Sequence, residues 1–119
     1  EGLIYFATKG DNKVWLLDTT DPDHANHTIQ EVYDGTGILS GSDNVTITCH
    51  GDVLIAEDGG DMEIVVLYPD GTLKPLLQVE HTGSEITGPV LSPDGQRLYF
   101  SSQRGNDGNG VTFEVTGPF

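Results

Sequence analysis

The chain repeats one short phrase three times. Leu3-Ile4-Tyr5-Phe6-Ala7, Val53-Leu54-Ile55-Ala56-Glu57 and Arg97-Leu98-Tyr99-Phe100-Ser101 align on Ile4, Leu54 and Leu98, at spacings of 50 and 44 residues. Val14, Ile64 and Val111 follow them at offsets of 10, 10 and 13. Such a period is the mark of a stacked supersecondary unit, and four short strands per unit describe a β-propeller blade. Val53 to Ala56 is apolar on consecutive positions. A strand covered on both faces by neighbouring blades needs that pattern, whereas a strand with one wet face alternates. A sandwich is the alternative, but it leaves the repeat unexplained.

The local signals agree with an all-β fold. Short β-branched runs bounded by turn residues predict strands over Leu3 to Thr8, Lys13 to Asp18, Thr28 to Tyr33, Val45 to Cys49 and Val53 to Glu57. Five more follow over Glu63 to Tyr68, Leu73 to Val79, Thr87 to Leu91, Arg97 to Ser102 and Val111 to Val115. Pro69-Asp70-Gly71 and Pro93-Asp94-Gly95 sit between apolar runs as hairpin turns, and His50-Gly51-Asp52 takes a matching place. With blade strands named A to D from the axis outward, residues 3–33 supply B, C and D. Residues 45–79 supply a whole blade, and residues 87–115 supply A, B and C. We therefore expect one partial propeller over 1–119, about two and a half antiparallel blades with boundaries near 41 and 84, in place of the usual four to eight or so. Its expected partners are the remaining blades of the same propeller, or a second copy. Beginning at Glu1 without a leader pattern, the sequence reads as a processed form or a fragment.

Charge narrows the partners. Five Lys and Arg against 19 Asp and Glu give a net charge of -14. A surface of that sign repels phosphate backbones, which argues against nucleic acid. No apolar run reaches the length of a membrane-spanning helix. The single Cys49 excludes an intrachain disulfide and a Cys-rich zinc site, and it reads as an inert core thiol.

Topology then selects a face. In an antiparallel blade the loop entering A lies beside the loop leaving B, near the axis. That places Asp43 and Asn44, Glu57 and Asp58, Glu85, and the cations Lys9 and Arg104 at one end. Asp43, Asn44, Glu57 and Glu85 offer carboxylate and amide oxygens, which suit a hard cation such as calcium; Asp and Asn also start strands as simple turn residues. Lys9 and Arg104 suit phosphate oxygens, or charge compensation on an acidic rim. His81 enters the same end as a candidate proton donor or supporting group. His24 and His27 belong to an outer loop, as solvated residues or a surface metal clip.

Two further segments carry a resemblance. Ser92-Pro93-Asp94-Gly95-Gln96-Arg97-Leu98-Tyr99-Phe100 is a phrase common to many propellers. More specific is the series Asp43-Asn44-Val45, Gly51 to Gly59, Glu85-Ile86-Thr87-Gly88-Pro89 and Thr116-Gly117-Pro118-Phe119. In that order these resemble the C-terminal part of PhoX-like alkaline phosphatases and their bacterial relatives. The resemblance implies a periplasmic or extracellular propeller that hydrolyses phosphate esters at a site containing calcium and iron. It implies Asp43, Asn44, Glu57 and Glu85 as metal ligands; in such a phosphatase Arg104 or Lys9, placed at this end by topology, would neutralise charge building on the phosphate. The competing expectation is a non-catalytic propeller that binds calcium or a protein partner.

Overall fold

The computed structural model describes residues 2–119. Ten strands form in the expected order: β1 (Leu3–Thr8), β2 (Lys13–Asp18), β3 (Thr28–Tyr33), β4 (Ser42–Ile47), β5 (Val53–Glu57), β6 (Glu63–Leu67), β7 (Leu73–Gln78), β8 (Glu85–Leu91), β9 (Arg97–Gln103) and β10 (Val111–Thr116). A 3-10 turn, His24–Asn26, interrupts the β2–β3 connection, capped by the Asp23 side chain on the Ala25 amide.

The strands make three antiparallel sheets, ordered β1-β2-β3, β4-β5-β6-β7 and β10-β9-β8. Each pairs strands adjacent in sequence, so every connection within a sheet joins antiparallel neighbours as a hairpin. The Pro-Asp-Gly corners work as the turn chemistry requires. Gly71 donates to the Tyr68 carbonyl and Gly95 to the Ser92 carbonyl, both at 2.9 Å. Asp70 and Asp94 fix the same corners by accepting from the amides of Thr72 and Gln96.

The middle sheet explains the run of consecutive apolar residues. All five residues of β5 are buried. Val53 and Ile55 pack towards the first sheet with Val14, Tyr33, Leu39, Val65 and Leu67. Leu54 and Ala56 face the other way, with Ile64, Val66, Ile86, Leu98 and Phe100. The middle sheet is therefore covered on both faces, and each buried Leu or Ile contributes about 1.5–3 kcal/mol. The first strands of successive sheets lie together, with β1 against β4 and β8 against both β4 and β5. Asn44 ties two of them. Its Oδ1 accepts from Thr87 Oγ1 at 2.8 Å and from the Gly88 amide at 2.7 Å, where β8 bulges.

Two expectations need correction. β4 and β8 begin at Ser42 and Glu85, earlier than Val45 and Thr87, because polar residues at the strand entrances join the ladders. Cys49 is exposed: β4 stops at Ile47, and Thr48 already caps the turn by accepting from the His50 and Asp52 amides.

Candidate functional site

The strand ends decide which side chains meet. Ser42, entering β4, lies opposite Glu57 at the end of β5. Glu85, entering β8, lies opposite Gln103 at the end of β9. Lys9 follows the end of β1. All these ends share one rim. Gly41 is required there, with φ of +68° and an added Cβ only 2.5 Å from the Asp58 carbonyl oxygen. The Asp58 amide donates to the Gly41 carbonyl at 2.8 Å, so the chain entering β4 crosses closely over the chain leaving β5.

A charged cluster spans this rim. Lys9 Nζ pairs with Asp58 and lies 3.8 Å from Asp43 Oδ1. Arg104 donates to Glu85 Oε1 at 2.7 Å. The hydrogen bond from Lys9 holds the Asp58 carboxyl below its ordinary range, with Glu85 as the next cause. Contact with Asp58, then burial, pushes the Glu85 carboxyl up, against the opposing pull of Arg104. Lys9 is raised in turn, chiefly by Asp58. The two neighbouring acids are thus driven apart, with Asp58 favoured as the anion and Glu85 the readier to hold a proton.

The rim brings Lys9, Asp43, Asp58, Glu85 and Arg104 together, while the other two expected ligands are committed elsewhere. The fully buried Glu57 turns inward with Val53 and Ile55. Its Oε1 accepts from the Ser40 amide at 2.5 Å and its Oε2 from the Glu63 amide at 2.9 Å. Burial raises its carboxyl, the two amides oppose that, and nearby Asp61 adds to it. Asn44 spends its oxygen on Thr87 and Gly88. Asp43, Asn44, Glu57 and Glu85 therefore do not fit one shared ion in this arrangement. Among the described residues, no group of three or more His, Cys, Asp or Glu side chains is set to hold a metal.

Asp58 is the residue that sequence reasoning placed on the face but did not select. Its place was the signal: it is the first residue past the end of β5, on the loop that leaves the strand at the rim. His81 lies beside this cluster, 2.8 Å from Ser102 Oγ and 3.6 Å from Asp107. The His24 and His27 rings lie 4.8 Å apart, tilted to one another, on the outer loop, far from the rim in sequence. A groove of about 340 Å³ between the first two sheets is lined by residues such as Tyr5, Val53, Tyr68 and Asp70 and by none of the rim residues. It is a gap between sheets, and the charged chemistry lies elsewhere.

The family described as alkaline phosphatase PhoX matches residues 6–106. No curated protein and no solved structure matches significantly.

Proposed function

The chain belongs to the alkaline phosphatase PhoX family, and from that membership we propose that it forms part of a phosphatase acting on phosphate esters. The observation that supports this reading is the rim. A chain with five Lys and Arg in all sets two of them, Lys9 and Arg104, at the mouth where its sheets meet. Phosphoryl transfer needs little covalent help from a protein; it needs positioned charge on the equatorial oxygens. Arg104 offers a planar fork for two oxygens and Lys9 a point charge on a flexible stem. Each is held by a carboxylate of the rim, which keeps it in place until a substrate oxygen replaces that partner.

The three sheets are read as successive blades of a larger propeller, completed by further blades, in a periplasmic or extracellular setting. Calcium and iron belong to the proposal at the level of that whole assembly, with ligands from other blades. Asp43, Asp58 and Glu85 are the carboxylates that this rim can offer towards it, and no step is assigned to the metals here.

The second reading is a non-catalytic module that binds calcium or a protein partner. The pairing of Lys9 and Arg104 with carboxylates of their own rim favours it. Two measurements separate the readings: calorimetric binding of inorganic phosphate, and hydrolysis of a chromogenic phosphate monoester with and without calcium. Phosphate binding that falls at least tenfold in Arg104→Ala supports the phosphatase reading. Neither binding nor hydrolysis by the protein with its further blades, supplied with calcium and iron, leaves the non-catalytic one.

A further inference from the structure

Arg104 follows directly on the end of β9. Arg104 has a φ of 56°, a left-handed backbone that residues other than glycine seldom adopt. Such conformations persist where the surroundings impose them, and they gather at functional positions. Here the surroundings are the β7–β8 loop. His81 Nδ1 lies 2.8 Å from Ser102 Oγ, and Ser102 Oγ is bonded in turn to Ser84 Oγ. Ser102 is fully buried and Ser84 nearly so. The other imidazole nitrogen lies 3.6 Å from Asp107. Behind the ring is Gly105, where an added Cβ would fall 1.9 Å from His81 Nε2. No side chain fits there while the ring is in place. The Asn106 amide donates to the Thr82 carbonyl at 2.9 Å and locks the two loops together. Ser84 precedes Glu85, and Ser102 and Gly105 bracket Arg104.

We propose that His81 is a positioning residue: wedged against Gly105 and bonded to Ser102, it imposes the left-handed turn that presents the Arg104 guanidinium to Glu85 and to a phosphate oxygen. The second half rests on the phosphatase reading above; the first half does not. The imidazole joins the two partners of the rim pair through one hydroxyl chain. Ser84 fixes the strand entrance that carries Glu85, and Ser102 fixes the strand exit that carries Arg104.

The test is NMR on the whole chain, without substrate. A left-handed Arg104 gives a strong intraresidue NOE between its amide and Hα protons, and a paired guanidinium gives resolved Nη signals. In the unmutated chain these should accompany an NOE between the His81 ring and the Gly105 Hα protons. The absence of that contact overturns the proposal outright. In His81→Ala both Arg104 signals should be lost while the remaining spectrum stays dispersed. In His81→Asn, which keeps the bond to Ser102 but lacks the ring edge at Gly105, they should return only in part. Survival of both signals in a folded His81→Ala chain overturns the proposal. Should that variant fail to fold, Ser102→Ala, which removes one oxygen, is read by the same two criteria. A chain that hydrolyses no phosphate ester can pass or fail every one of these readouts, so the two proposals fall separately.

Discussion

Glu57 shows how one side chain can look like a ligand and be a clasp. A carboxylate at the end of a wholly apolar strand is unusual, and the sequence flags it for that reason. Its two oxygens close two loops, at Ser40 and at Glu63. Glu57→Gln keeps the size but replaces one acceptor with a donor facing a backbone amide. It should cost about 1–3 kcal/mol, read as a lowered denaturant midpoint at unchanged slope. Asp58 makes the pH prediction. Its folded carboxyl lies below the ordinary value, chiefly through Lys9, so the unfolded chain binds the proton more readily. Stability from this pair is fully present above the ordinary Asp value and is lost as pH falls from there through the lowered folded value. In Lys9→Met the acid limb of the stability profile should become shallower, while an unchanged limb would show that the pair contributes nothing. The sequence revealed which loops carry the charges. It could not reveal which way Glu57 and Asp58 point, because that depends on which face of β5 the chain turns towards its neighbour.

At the level of elements, the sequence was legible wherever burial set the pattern. The strands β1, β2, β3 and β5 have the ends that their apolar runs predict. The entrances of β4 and β8 were not visible, because Ser42, Asp43 and Glu85 carry no strand propensity and are held by pairing across a bulge or a rim. Asn44 is the inter-sheet tie that this pairing makes possible. Asn44→Ala removes the acceptor for the Thr87 hydroxyl and the Gly88 amide, and it should cost about 1–2 kcal/mol. Hydrogen exchange should then rise first at the β4–β8 contact. Uniform exchange throughout would mean that apolar packing alone holds the two sheets. Gly41 is the sharper case. Gly41→Ala would meet both the left-handed φ and the Asp58 carbonyl at 2.5 Å. It should therefore destabilise more than Asn44→Ala, since the obstructing atom is backbone and cannot turn aside.

For the whole molecule, the argument turns on what covers the outer sheets. The middle sheet is covered on both faces, and the first and third are each covered on one. Ile29 is 61% exposed, Leu3 and Ile4 are 50% exposed, and Val111 is 45% exposed. Apolar residues and unpaired edges of this kind invite further packing. The opposing force is charge: at a net -14, two copies repel strongly at low ionic strength and less once salt shortens the screening length to about 10 Å or below. Packing against further blades of one propeller would cover the same faces without bringing a second set of charges to them, which makes it the favoured partner. The chain alone should then associate reversibly, more so as salt is raised, in size-exclusion chromatography with light scattering. A monodisperse 12.8 kDa species at every salt concentration, unfolding cooperatively, would show that these sheets are self-sufficient. The partial-propeller reading would fall with that result, because a blade that needs no neighbour is not a blade.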